Sequence, residues 1–574
     1  MVYKFKEALA AQITRAIDRW AGKNLPNYSE QTHPEVIIEV PSNVQYGEFS
    51  TAVALQLARL ARCNPRQLAV SILAELFSEP DPFFTAFDHL TIDAGQISYD
   101  PNLFIAGAGF LNFSMKDSFW TEMVNQINEQ GTSYGETEFG HNQKIQVEFV
   151  SANPTGPLHI GHGRSAAYGD ALARVLKMAG FNVQREYYIN DAGRQMSLLG
   201  ESLKARYLQK LGQPAQVPPD GYQGEYMIGI ADKLANNEKE RHLDAEVDFF
   251  TRFAVGEIIS SIESDLDLFN VVFDNWFSEK RELHDTDQVN QTLEYLKSKG
   301  AIYEKDGAYW LKTGSWEEQD RVVINSQGIP TYLAGDIAYH KNKFERGFEV
   351  IIDIWGHDHH GYQPRMKAMV EALGHNPQNL HLIVYQLVSL SRSGVPVKMS
   401  TRTGQFITLR EVIDEVGVDA VRYFFNMRSP DSQMEFDLEL AKKASSDNPV
   451  YYVQYAHARI CSIFRNMSEY GLSEEMIANV NVDLLTSGEE KSLIKKLAEF
   501  PELVIKCART YEPHHLTSYL QEMAGVFHGY YKRHRIMDRD SVELSCTRLK
   551  LMQALKIVIH NGLELLGVSA PERM

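Results

Sequence analysis

Residues 144–191, KIQVEFVSANPTGPLHIGHGRSAAYGDALARVLKMAGFNVQREYYIND, restrict the fold of this chain more than any other stretch. Ile145 to Val150 reads as a strand that ends in a Ser-Ala-Asn-Pro-Thr-Gly turn. A helix follows, with apolar Leu172, Val175, Leu176 and Ala179 on one face and Gly180 as its stop. Alternating Val183, Arg185 and Tyr187 predict a second strand. The three pieces make a βαβ unit, whose loop at the carboxyl end of the first strand is where open α/β sheets bind nucleotides. That loop holds His159-Ile160-Gly161-His162. Two imidazoles can donate hydrogen bonds to phosphate oxygens, glycine lets backbone come close, and the helix start adds a positive dipole end. The same residues equally suit a loop histidine that merely caps the helix.

Downstream the pattern repeats. Val350 to Trp355 is an apolar strand, followed by Gly356-His357-Asp358-His359-His360-Gly361 and a helix with Met366, Met369, Val370 and Leu373 on one face. His381 to Val388 reads as another buried strand. A metal site at His357–His360 is disfavoured, because adjacent loop residues rarely converge on one tetrahedral ion. Contacts to adenine and ribose explain a Gly-x-Asp beside a nucleotide crevice better. Lys398-Met399-Ser400-Thr401-Arg402-Thr403-Gly404 is a basic, small-residue loop suited to clamping phosphate, ahead of a helix with a Thr408/Glu411 capping box.

Residues 1–115 read as a separate α+β module. It holds an amphipathic first helix, a strand at Val36–Val40, a helix capped by Ser50 or Thr51, and a glycine hinge running into a strand at Phe110–Phe113. Between Gln195 and about Asp320 the pattern is mostly helical and charged, as in an insertion. From about Gly417 onward the chain reads as almost entirely helical, with no strand-rich stretch. There, Tyr451 and Tyr455 follow the Asn448-Pro449 helix start, and Phe527 to Arg535 interleaves aromatic and basic residues. Such interleaving suits single-stranded RNA, whose bases stack on rings while cations hold phosphates. A helix bundle with a basic edge would look the same.

A length of 574 residues allows about three or four domains. The net charge of −18 is unfavourable for phosphate backbones, yet residues 445–574 carry 15 Lys and Arg against 16 Asp and Glu, only −1. The excess acid lies upstream. Cys63, Cys461, Cys507 and Cys546 form no C-x-x-C pair, so neither a disulfide framework nor a cysteine zinc site is expected. No apolar run could span a bilayer, and Lys4, Lys6 and Glu7 interrupt any signal peptide, so the protein is expected in the cytoplasm.

Together these features resemble a class I aminoacyl-tRNA synthetase, with His159 to His162 as its HIGH motif and Lys398-Met399-Ser400 opening its KMSK loop. The flanks EFVSANPTGPLHIGHGRSAAYGD, EYYINDAGRQ, PTYLAGDIAYH, NPVYYVQYAHARI and LLGVSAPERM are similar to bacterial arginyl-tRNA synthetases. The resemblance implies an N-terminal domain at 1–115 that contacts tRNA. It further implies a Rossmann-type catalytic domain at 116–416 with helical insertions over about 195–320, and a helical DALR-type anticodon-binding domain at 417–574, where Asp419 to Arg422 holds the name-giving motif. Arginine, ATP with Mg²⁺, and tRNA(Arg) are the implied substrates of a monomeric enzyme needing no resident metal, and the family generally activates arginine only with tRNA bound.

By the same resemblance His159, His162, Lys398 and Arg402 act on the phosphates. Gly161, Gly356, His357, Asp358, Met399 and Ser400 hold ATP. Asn153, Tyr332, Asp336 and Gln363 hold arginine. Tyr451, Tyr455, Tyr530, Tyr531, Lys532, Arg533 and Arg535 meet tRNA. Tyr332 and Asp336, four apart, share a face if helical, and a carboxylate answers a guanidinium with bidentate charge-assisted bonds. A glutamyl enzyme would present cations there, and a cysteinyl enzyme would want zinc ligands. One departure stands out: Thr401 replaces the second lysine of KMSK, and Gly156-Pro157 offers no substitute upstream. Arg402 is expected to take over part of that phosphate contact. A binding-only relative would fit the missing lysine, but not the retained His159, His162, Lys398 and Asp336.

Overall fold

The computed structural model describes residues 2–25, 34–41, 43–397 and 407–574. Its centre is a five-stranded parallel sheet in the order Leu380–Tyr385, Val350–Gly356, Lys144–Glu148, Asn182–Ile189, Asn275–Ser278. The strand earliest in sequence therefore lies in the middle. The chain winds outward to one edge, returns, and winds to the other, leaving a switch point beside Lys144–Glu148 where a ligand can sit. Ile145, Val147, Ile351, Ile352 and Ile354 are buried, as parallel strands covered on both faces require. The helix Ile160–Met178 packs against this sheet at close range. A Cβ on Gly169 would stand 2.2 Å from the Phe149 ring, so only glycine allows the approach.

Several expectations need correction. The segment between Gln195 and Asp320 is not purely helical. Helices Arg194–Lys210, Glu225–Glu238 and Val247–Leu268 come first, but Asn275–Ser278 is the sheet's edge strand. Ile302–Lys305, Ala308–Leu311 and Arg321–Ile324 then form a three-stranded antiparallel sheet. Four-residue strands are too short to impose a period on charged sequence. Val36–Val40 is not a strand and makes only one bridge, Glu39 to Ser50. Ser50 and Thr51 lie in the strand Phe49–Thr51, and the helix Val53–Ala61 begins at Ala52 without a side-chain cap. The strand expected at His381–Val388 ends at Tyr385, and Val388–Arg392 is a separate strand.

Nor does the chain turn wholly helical at Gly417. Met434–Asp437 pairs in parallel with Val388–Arg392, and the helix Val418–Phe425 packs on Ile160–Met178. The stretch up to about Ala441 thus stays with the sheet side. The bundle proper opens at the helix Pro449–Asn466, capped by Asn448, and continues through Gly488–Ala498, Phe500–Thr510, His514–Arg533 and Val542–Leu565. Residues 2–115 hold helices Val2–Asn24, Val53–Ala61 and Pro65–Leu76 with short antiparallel strands.

Candidate active site

The strand Lys144–Glu148 leaves the sheet through a strained turn. Val150 and Ser151 have φ of 67° and 37°, and Ser151 N–H donates to the Phe149 carbonyl at 2.9 Å across a three-residue γ-turn. A β-branched residue with positive φ is held there only by its surroundings, among them the Ser165 hydroxyl, which accepts the Val150 N–H at 3.0 Å. The loop then delivers His159 as N-cap of Ile160–Met178. Its Nδ1 accepts the N–H groups of Gly161 at 3.1 Å and His162 at 3.4 Å, while His162 Nδ1 accepts the His159 N–H at 3.3 Å. The two rings stack at 3.6 Å. Burial, and then the neighbouring His159, push His162 down to about 3. With Nδ1 accepting, its neutral ring carries the proton on Nε2 and presents it as a donor. Glycine at 161 leaves the His159 ring in place, since a Cβ there would press on it at 3.0 Å.

The helix Tyr332–Glu345 puts Tyr332 and Asp336 one turn apart. Tyr332 is exposed at the mouth of a cleft of about 670 Å³, also lined by Asp191, Glu279, His284 and Gly335. Burial raises Asp336 to about 7, and the nearby carboxylates of Glu279, Glu148 and Asp353 add to the rise. Glu279 reaches within 3.5 Å of where a Gly335 Cβ would stand and pairs with His284 Nε2 at 3.1 Å. Asp191 braces the floor, accepting from Ser278 Oγ at 2.6 Å and Lys280 N at 2.8 Å. The cleft is acidic and suited to an elongated cation. Sequence reading missed Glu279, which follows the edge strand Asn275–Ser278 directly; recognising that strand would have placed it at a carboxyl end.

Asn153 is exposed and donates from Nδ2 to Gln195 Oε1 at 3.2 Å, tying the loop to the wall of this cleft. Gly356 ends the strand Val350–Gly356, and His357 and Asp358 begin the turn His357–Tyr362. Burial and then the Asp336 charge raise the Tyr362 phenol, which sets this turn against Asp336. Gln363 starts the following helix and donates to the Leu382 carbonyl at 3.4 Å. Lys398, Met399, Ser400 and Arg402 lie outside the described residues. The chain re-emerges beside the histidines: Thr408 bridges to His159, and Leu409 N–H donates to the Leu158 carbonyl at 2.8 Å. Arg164, buried in the same helix, donates to the carbonyls of Gln386, Ser429 and Ser432 at 2.8–2.9 Å.

On the helical bundle, Tyr451 and Tyr455 stack at 6.1 Å, and Arg459 lies 4.9 Å over Tyr455 and 4.8 Å over Tyr531. Tyr531, Lys532, Arg533 and Arg535 are exposed. Tyr530 is a correction: it is buried, and its hydroxyl donates to Glu490 Oε1 at 3.0 Å. One residue along a helix turns the side chain by about 100°, so Tyr530 faces the core while Tyr531 faces out. Arg459 was missed because it lies one turn beyond Tyr455 on a helix that reads as aromatic.

Residues 123–463 match the family model of the class I (R) tRNA synthetase catalytic domain, 453–574 the DALR anticodon binding domain, and 4–88 the arginyl tRNA synthetase N terminal domain. An arginine–tRNA ligase of Syntrophotalea carbinolica is 48% identical over 548 residues, covering 95% of this chain and 96% of its own. One from Bacillus licheniformis is 45% identical over 579 residues, covering 100% of both. The structure of Thermus thermophilus arginyl-tRNA synthetase superposes with a TM-score of 0.73 at 20% identity, covering 99% of this chain and 100% of that one. Identity of this order along the full length, joined to paired histidines at the switch point and an acidic cleft beside them, makes this chain a member of the arginyl-tRNA synthetases, the class I arginine–tRNA ligases.

Proposed function

We propose that the acidic cleft holds the arginine side chain, with Asp336, Glu279, Tyr332 and Gln363 around it and Asn153 toward the backbone end. The observation that carries this reading is the gathering of carboxylates about Asp336, where Glu279, Glu148 and Asp353 add to burial in raising its carboxyl and outweigh the opposing pull of His340. A guanidinium supplies that charge in the bidentate geometry a carboxylate matches, whereas lysine would leave part of the fork unpaired. ATP enters as its Mg²⁺ complex. His159 and His162 hydrogen-bond its phosphates through Nε2, Gly161, Gly356, His357 and Asp358 hold the adenosine, and Lys398, Met399, Ser400 and Arg402 close over the leaving pyrophosphate.

The arginine carboxylate attacks the α-phosphate, the bond to the β-phosphate breaks, and arginyl-adenylate and pyrophosphate result. The terminal adenosine hydroxyl of tRNA then attacks the arginyl carbonyl and AMP leaves. Tyr451, Tyr455, Arg459, Tyr531, Lys532, Arg533 and Arg535 form the face that meets tRNA. The chain acts as a monomer in the cytoplasm, where tRNA, ATP and arginine meet.

Pyrophosphate exchange into ATP, run with each amino acid with and without tRNA, tests the reading. Exchange is expected with arginine only and only with tRNA present. Asp336→Asn should raise the KM for arginine at least about a hundred-fold, the loss of a charge-assisted pair. An unchanged KM would remove Asp336 from the arginine site.

A further inference from the structure

Directly beneath the acidic cleft lies a charged layer with no sequence signature. Asp353, Glu148 and Glu186 stand in register on three neighbouring parallel strands, followed by Asn275 on the fourth. All three carboxylates are buried. The helix that carries Tyr332 and Asp336 answers them at successive turns. Lys343 Nζ donates to Glu148 Oε2 at 2.6 Å and Asp353 Oδ1 at 2.7 Å, and Arg346 donates to both oxygens of Glu186 at 2.6 and 2.8 Å. Tyr339 and Asn275 also donate to Glu186, and Ser151 to Glu148. Three carboxylates thus face two permanent cations. The remaining member is His340, buried, with Nε2 2.8 Å from Asp353 Oδ2 and Nδ1 2.8 Å from the Asp336 carbonyl.

Both partners of that ring are acceptors. A neutral imidazole has one N–H and would leave one short contact without a proton, whereas an imidazolium donates to both. The same proton brings the layer from −1 to zero, which burial in a low-dielectric core demands. We propose that His340 is a positioning residue that donates from both ring nitrogens: it clamps the Asp336 backbone to the sheet and, as the imidazolium this geometry requires, favours the ionised carboxylate that arginine needs. Asp353 supports the assignment on geometry, since its other oxygen already accepts from Lys343 Nζ at 2.7 Å, which favours its ionised, accepting form. The groups facing this ring or Asp336 from the packed elements are Asp353, Glu148, Glu186, Lys343, Tyr339, Tyr188, Glu279 and Tyr362.

The inference rests on Asp336 as an arginine ligand, and the test separates the two. The KM for arginine is measured against pH in the native enzyme, Asp336→Asn, His340→Gln and the double variant His340→Gln/Asp353→Asn. Native enzyme should lose affinity as pH falls through about 7, and Asp336→Asn should lose the inflection together with affinity. His340→Gln should move the inflection up by on the order of one pH unit with kcat at saturating arginine nearly unchanged, and the double variant should move it back. If Asp336→Asn matters while His340→Gln leaves the inflection in place, the His340 role fails alone. If Asp336→Asn changes nothing, the arginine-site reading fails first. Should the variants not fold, nitrogen-15 spectra of histidine-labelled native enzyme decide: one buried ring with both nitrogens protonated is expected, and its absence overturns the proposal.

Discussion

Capping the helix does not compete with the phosphate contact proposed for His159. It caps its helix through Nδ1, and the same bonds fix the tautomer that leaves a proton on Nε2. Burial, and then His159, push His162 down to about 3, so in the proposed site it meets phosphate as a neutral hydrogen-bond donor, not as a charge. His162→Ala should therefore cut the rate of pyrophosphate exchange by roughly a hundred-fold or more, with the KM for arginine little altered. No inflection near pH 6.5 should vanish from the rate profile on this change; a lost inflection there would show that His162 titrates. Asp336 behaves oppositely. Its carboxyl is raised to about 7, chiefly by burial, and in the arginine-site reading proposed above arginine binds the ionised form. Affinity is full above that pH and falls toward ten-fold per unit below it. Isothermal titration in buffers of different ionisation enthalpy should record proton release on arginine binding at pH 6 and almost none at pH 8.

At the scale of elements, the helix Ile160–Met178 organises the site. Gly169 lets it touch Phe149, Gly163 makes room for Leu409, and Arg164 ties it to carbonyls at Gln386, Ser429 and Ser432, which flank the strands Val388–Arg392 and Met434–Asp437. The histidine-bearing helix and the described elements before and after residues 398–406 are thereby built as one piece. The loop's chemistry then depends on which cations it brings. With threonine at 401, Arg402→Ala should lower pyrophosphate exchange about ten-fold or more, as loss of a phosphate contact does, and Lys398→Ala further. Exchange unaffected by Arg402→Ala would assign the whole contact to Lys398.

At the scale of the molecule, one buried carboxylate joins the catalytic core to the C-terminal region. Asp170, in the histidine-bearing helix, receives Arg174, Arg185 and the fully buried Arg422. Arg422 also donates to carbonyls of Phe269, Asn270 and Leu566, and a Cβ on Gly567 would collide with it. Asp419, three residues before, accepts the Ser569 N–H at 2.9 Å and a bond from Gln454 at 2.7 Å. The Asp-Ala-Val-Arg motif is thus a structural rivet in this chain. Asp170→Asn strands a buried guanidinium and should cost about 3–5 kcal/mol, read as a lower denaturation midpoint. Unchanged stability would mean that the carbonyls alone satisfy Arg422.

The sequence determined by itself what local periodicity and short motifs carry: the βαβ unit, its histidine loop, the second α/β half, the helical C-terminal region and the residue types of a guanidinium site. It also carried the class of enzyme, through stretches that resemble a family. Tertiary structure alone decided the rest. Four-residue strands such as Asn275–Ser278 and Met434–Asp437 exist because a neighbouring strand accepts their hydrogen bonds, so no periodicity announces them. Glu279 enters the site only once that edge strand is placed. Tyr530 and Tyr531 read alike in a row, and the bundle core takes one of them. Glu148, Glu186 and Asp353 are separate polar residues in apolar runs until parallel register sets them side by side. Charge balance is a property of groups brought together across 205 residues, from Glu148 to Asp353, and it comes into being with the sheet.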